Sequence, residues 1–143
     1  MKMEARKKSF TDIKMWQEAH KFVLLVYKLV KQLPEDERFS LTSQVKRAAV
    51  SVTPRIAEGF SRETFLDNNH FYIMTHGSVA EVQNQLLLAG DVKYGEAVGF
   101  KKFADQSVVV SKLLSGLIRS TKDKANSQAS RFELQAFATE RSM

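Results

Sequence analysis

Hydrophobic and polar positions alternate with a helical period along nearly the whole chain, most tellingly between Leu41 and Arg62. Leu41, Val45, Ala48 or Ala49, Val52, Ile56 and Phe60 recur every three to four residues and build one apolar face. Gln44, Arg47, Ser51, Arg55, Glu58 and Arg62 recur at the same interval on a neighbouring face. A solvated helix needs no ordered polar row, so this face is expected to meet a partner, either another helix or an anionic ligand.

Four helices are expected from the pattern. The first runs from Thr11 or Asp12 to Gln32, with Ile13, Trp16, His20 or Ala19, Val23, Tyr27 and Val30 inward, and stops before Pro34. The second starts at Ser40 and reaches about Gly59, with a kink at Pro54, which cannot donate to the carbonyl of Val50. Thr64 and Asp67 cap the third, which carries Phe65, Tyr72, Thr75, Val79, Val82, Leu86 and Ala89 inward as far as Val92. Lys93-Tyr94-Gly95 is a turn, and the fourth helix spans Glu96 to Ser120 with Phe100, Phe103, Ser107, Val110, Leu114, Leu117 and Ile118 inward. No strand-like alternation intervenes. The expected fold is all-α, an antiparallel up-down-up-down four-helix bundle over residues 10–121. It is flanked by a flexible basic arm, residues 1–9, and a polar tail, residues 122–143, in which Ser130 and Glu133 can cap a short helix with Phe132, Leu134 and Phe137.

Two helices carry more apolar surface than one core requires. Phe22, Leu25, Val26, Leu29 and Leu33 form a second row on the first helix, while Lys14, Lys21 and Lys28 mark its solvated side. Val108, Val109 and Leu113 do the same on the fourth. Left bare, such rows make a sizeable patch, so self-association through Phe22, Leu25, Val26 and Leu29 is expected, the competing reading being a wide core or cover by the C-terminal segment.

Composition narrows the class. A chain of 143 residues with 43% apolar content supports one domain. It has no cysteine, hence no disulfide framework or thiolate metal site, and a cytoplasmic setting is expected. The N-terminus does not read as a signal peptide, and the longest apolar run, Phe22 to Tyr27, is too short to span a bilayer. The net charge of +6 is concentrated at the ends: residues 1–8 contribute +3 and residues 119–143 contribute +2. Lys46, Arg55 and Arg62, with Arg6, Lys7 and Lys8 as flexible contributors, are the candidate nucleic-acid contacts. Solubilising termini are the competing explanation.

Phe10-Thr11-Asp12-Ile13-Lys14-Met15-Trp16-Gln17-Glu18-Ala19, the segment Leu41 to Ser51, Ile56-Ala57-Glu58-Gly59 and Gly77-Ser78-Val79-Ala80-Glu81 occur in the order seen in the four-helix-bundle proteins encoded in intervening sequences of bacterial 23S rRNA genes. The resemblance covers about residues 9–120 and implies a cytosolic bundle assembling as a ring-like homopentamer, with no known reaction. More distantly, in architecture and charge, the chain is similar to accessory proteins of diversity-generating retroelements, which bind nucleic acid and a reverse transcriptase. It departs from the family pattern at Thr53, Pro54 and Arg55: the proline is displaced and a charge stands where relatives often have an amide.

Gln44, Arg47, Glu58, Ser78 and Glu81 are assigned first to an interhelical polar network, Arg47 pairing with Glu81 or Glu58, because polar groups entering a bundle must be satisfied. Trp16 is read as a core or subunit-contact anchor before a stacking platform. Glu63, Asp67 and His70 have spacings found in two-metal carboxylate bundles, but the second acid-x-x-His pair is missing, and an acidic cluster at a helix start explains them. No phosphate loop, dinucleotide fingerprint, zinc-protease motif or nucleophile elbow is present. The expectation is a non-enzymatic, cofactor-free homo-oligomer binding RNA or a ribonucleoprotein. The alternative is a protein-interaction scaffold or a reverse-transcriptase accessory protein without RNA specificity of its own.

Overall fold

The computed structural model describes residues 9–142, so Arg6, Lys7 and Lys8 lie outside the described residues. A short 3-10 turn, Phe10–Asp12, capped by Ser9, leads into α1 (Lys14–Val30). After a second turn, Glu35–Glu37, come α2 (Leu41–Val50) and α3 (Val52–Ser61), then α4 (Phe65–Asp91) and α5 (Ala97–Ser142).

Cross-helix bonds give the directions. Asn69 Nδ2 donates to Thr121 Oγ1 at 3.1 Å, and Gln83 Nε2 donates to Ser111 Oγ at the same distance, so α4 and α5 run antiparallel. Arg47 meets Glu81 and Arg55 meets the carbonyl of Met74, so α2 and α3 together run against α4. Gln106 Nε2 reaches Glu18 near the start of α1 at 2.7 Å, while Gln32 beyond its end accepts from the Glu96 N–H at 2.8 Å. That closes the ring α1, α2–α3, α4, α5 as an up-down-up-down bundle.

The core stripe of α1 is Met15, Ala19, Phe22, Val26 and Leu29, flanked by Val23 and Val30 and continued by Leu33 beyond the helix. This corrects the expected interface: Phe22 and Val26 are fully buried, Leu29 nearly so, and Leu25 is half-buried. The apolar sector of α1 is broad, and its centre lies one register away from the stripe through Trp16 and Tyr27, which instead sit at the edge. Leu24 and Tyr27 are the exposed large hydrophobic side chains of this helix. Elsewhere the inward stripes agree with expectation, Tyr72, Thr75, Val79, Val82, Leu86 and Ala89 on α4 and Phe103, Ser107, Val110 and Leu114 on α5 being buried.

The break in the second helix falls at Ser51, three residues before Pro54. The proline leaves the Val50 carbonyl without its helical donor, and the Ser51 hydroxyl turns back to the Ala48 carbonyl at 2.7 Å. Gly59 lets α3 cross α4 closely, since a Cβ there would lie 3.0 Å from Phe71 Cβ. The turn before α5 needs Gly95, whose φ is +97°.

α5 does not stop near Ser120. It continues through the segment expected as a polar tail, because no glycine or proline follows Gly116 and the chain there is rich in good helix formers. Residues 122–141 are exposed except for half-buried Ala125.

Phe22→Ala removes a buried ring and is expected to cost about 3–5 kcal/mol, whereas Leu24→Asp, at 51% exposure, should stay within about 0.5 kcal/mol; urea denaturation of both variants checks the corrected register. The Gln106 amide, aided by Lys21, holds the Glu18 carboxyl below the ordinary carboxylate range. Its contribution to stability is therefore full above that range and lost as pH falls through it. A Glu18→Gln variant should be less stable than the parent at pH 7, with the difference closing below about pH 4.

Candidate nucleic-acid interface and interhelical polar network

The polar row of α2 and α3 faces α4. Arg47 donates from Nε and Nη2 to Gln44 Oε1 at 3.1 and 3.0 Å, and its Nη2 also meets Glu81 Oε1. Gln44 thus orients the guanidinium that bridges the helices, and Gln85 Nε2 adds a bond to the same Glu81 oxygen at 3.4 Å. The Arg47 and Glu81 side chains are 60% and 39% exposed, so water screens the pair and its net worth is about 0–1 kcal/mol.

One turn further on, the contact goes inside. Arg55 Nη1 donates to Ser78 Oγ at 2.8 Å and to the Met74 carbonyl at 3.1 Å, and the Ser51 and Ser78 hydroxyls lie 2.8 Å apart. Each hydroxyl has one proton. The set is satisfied as a relay: Arg55 donates to Ser78, Ser78 to Ser51, and Ser51 to the Ala48 carbonyl.

Two expected roles change as a result. Arg55 is half-buried and its guanidinium is committed to α4, so it belongs to the network and not to an open anion surface. Glu58 is exposed, and only its backbone carbonyl is engaged, by the Ser61 hydroxyl; it takes no part in the network. Arg47 therefore pairs with Glu81 alone of the two expected acids.

The remaining candidate cations separate. The Lys46 ammonium lies 5.8 Å from the centre of the Tyr27 ring, where α2 meets α1. The Arg62 guanidinium lies 4.7 Å over the Phe71 ring, beyond the other end of α3 and about 24 Å of helix away. They do not share one patch. Lys46 is instead bordered by the outer face of α1, where Lys28 and Lys31 come after Tyr27 in chain order. Among the described residues, Lys28, Lys31 and Lys46 enter no ion pair, whereas Lys21, Arg38, Arg47 and Lys101 do. Lys31 follows Tyr27 by about one turn, whereas the seven-residue repeat of Lys14, Lys21 and Lys28 lies about 100° or more around α1 from that ring. Two to three turns earlier along α1, Trp16 and His20 stack at 4.8 Å with an 11° interplanar angle, and Phe10 meets Trp16 edge-on at 5.5 Å. Trp16 is half-buried against the core and His20 is exposed.

Glu63, Asp67 and His70 are exposed around the start of α4, and no group of three or more metal-ligating side chains is assembled among the described residues. An open groove of about 480 Å³ between α4 and α5, lined by Leu86, Leu87, Phe100, Phe103 and Ala104, is mostly apolar, with Asp91 and Lys101 also on its wall.

Ser78→Val is expected to destabilise the fold by about 1–3 kcal/mol, because it leaves the half-buried Arg55 guanidinium short of an acceptor. Arg47→Ala should cost less than about 1 kcal/mol. Thermal melts that reverse this order would show that the exposed pair, and not the hydroxyl relay, fastens α3 to α4.

A family model described as 23S rRNA-intervening sequence protein matches residues 11–116. Among solved structures, the chain is similar to a protein of unknown function from the S23 ribosomal protein family of Bacteroides thetaiotaomicron VPI-5482. The two are 20% identical, with a TM-score of 0.66 over 73% of this chain and 97% of that one. No functionally curated protein matches the chain. No helix among the described residues is long and apolar enough to cross a membrane. The family match extends from the first 3-10 turn through most of the part of α5 that packs in the bundle, and the chain belongs to the 23S rRNA-intervening sequence protein family.

Proposed function

We propose that this protein is a self-associating helical bundle that binds structured RNA, alone or within a ribonucleoprotein, through the outer face of α1 and the adjoining part of α2. The observation that carries the reading is the group Lys28, Lys31 and Lys46 beside exposed Tyr27: cations with no carboxylate partner next to an aromatic ring. Such a group attracts phosphate, and the ring adds a stacking or cation–π surface. The basic residues Arg6, Lys7 and Lys8 contribute further sequence-independent contacts. No chemical step is part of the proposal, and neither a metal nor a cofactor is invoked.

Self-association is supported by α4, which is apolar on both sides. Ile73, Leu87 and Leu88 remain exposed opposite its buried stripe, which is costly for a lone subunit. A homo-oligomer, of the pentameric order implied by the family resemblance, covers such surface and repeats the basic face in each copy, multiplying weak contacts into avidity. The same exposed face of α4 favours the second reading, a protein-interaction scaffold in which the lysines only confer solubility.

Titration with a structured RNA at two salt concentrations separates the readings. Affinity should fall steeply with salt, and the triple variant Lys28→Glu, Lys31→Glu, Lys46→Glu should bind at least about tenfold more weakly at low salt, with a shallower salt slope and an unchanged melting temperature. Absence of binding at low salt leaves the scaffold.

A further inference from the structure

The flank of α1 that adjoins α2 carries a row of rings and cations outside the buried stripe. Counted from Trp16 at about 100° per residue, Tyr27 lies at about 20°, His20 at about 40°, Lys31, the C-cap, at about 60° and Leu24 at about 80°, so all five share one sector. Leu24 is 51% and Tyr27 38% exposed, and His20 is exposed as well. Trp16 and His20 form a stacked pair, braced by the edge of Phe10. Among the described residues His20 has no hydrogen bond and no further ring partner, so the stack ends in an open ring. α2 runs antiparallel to α1 here. Lys46 reaches over Tyr27, and Val50, one turn nearer the Trp16 end, is 45% exposed.

The chemistry of the row selects its occupant. α2 has no aspartate or glutamate, and Glu18, the one carboxylate of α1, lies about 160° around the helix from His20 and is held by Gln106 of α5. Lys31 and Lys46 therefore make a positive end beside a neutral, ring-lined one, with no acid of either helix between them. A polyanion with flat apolar faces fits both ends at once. A single nucleic-acid strand is such a polymer, because its phosphates can meet the lysines while its bases have a free π-face to stack. A duplex offers its phosphates alone, since its bases are paired and stacked on one another. From Trp16 to Lys31 the row rises about 22 Å, room for about six nucleotides at the stacked spacing of about 3.4 Å.

We infer that this flank is a stacking track for unpaired nucleotides, in which a base lies on the open Trp16–His20 stack and the phosphates leading toward Tyr27 meet Lys31 and Lys46. The inference rests on the RNA reading proposed above and narrows it to RNA with an exposed single-stranded loop or end. The lysines hold any RNA, and the rings supply the preference for an unpaired one.

The test uses full-length chain, an oligoadenylate of about twenty nucleotides and a G·C-rich blunt RNA duplex of about ten base pairs, matched in phosphates. Trp16 is the one tryptophan of the chain, so its emission reports this site alone. The single strand should quench that emission and bind at least about tenfold more tightly than the duplex at low salt. His20→Ala should weaken single-strand binding about tenfold, equivalent to about 1.4 kcal/mol, with the salt slope unchanged because no phosphate contact is lost. His20→Phe keeps a ring and should restore the affinity, and circular dichroism and solution mass should stay those of the parent. Equal binding of strand and duplex, undisturbed Trp16 emission, or parental affinity in His20→Ala overturns the stacking track and leaves the lysine contact with RNA standing. A fall in assembly mass on His20→Ala assigns the row to subunit contact and overturns the track as well. Binding of neither RNA at low salt overturns both readings.

Discussion

The mutual burial of Phe22, Val26, Val45, Ile56, Val79, Val82, Val110 and Leu114 in one interior, fed by all five helices, is the constraint that organises the molecule. Isolated helices are marginal in water, so most of the stability here comes from placing an apolar stripe of each helix against its neighbours. Once those stripes meet, the rotation of every helix about its axis is set. That rotation decides which side chains face water and which face another helix. Phe22 is then unavailable to another subunit, and Tyr27 and Lys46 are brought together on the outside.

The same rotation explains why the polar row of α2 and α3 divides. Arg47 emerges at the edge of the α4 contact and remains largely solvated, while Arg55 enters the contact and is neutralised by hydroxyl and carbonyl oxygens in place of a carboxylate. A guanidinium satisfied in this way fixes geometry, because its donors must find oxygens at fixed positions. The relay through Ser78 and Ser51 lies at the helix break that Pro54 enforces, so the neighbouring residues Pro54 and Arg55 supply the kink and the group that fastens it to α4.

Surface left over after the core is built carries the functional reading. Lysines without carboxylates occupy α1 and α2, and exposed apolar side chains occupy α4. The lysines and the exposed apolar side chains lie on different elements, so the proposed RNA and subunit contacts need not compete for the same residues. In the proposed assembly, one modest basic face is multiplied across several copies, which would give a chain with a net charge of only +6 a useful hold on a polyanion.

The four helical stretches and their order, with the second one broken near Pro54, the turns at Pro34 and Lys93 to Gly95, and the inward stripes of α4 and α5 were legible in the sequence, because a helix that buries one narrow face writes its period directly into the chain. Pairing of Arg47 with Glu81 was legible as one of two alternatives. The centre of the α1 stripe was not, since a broad apolar sector admits more than one rotation and only the positions of α2, α3 and α5 choose between them. The division between Arg55 and Lys46 was equally hidden: both are cations on one helical stretch, and burial against α4 separates them. The length of α5 was hidden as well, because a change from apolar to polar composition marks the end of packing, whereas a helix ends only where its backbone bonds or dihedrals can no longer continue, and nothing after Gly116 interrupts them.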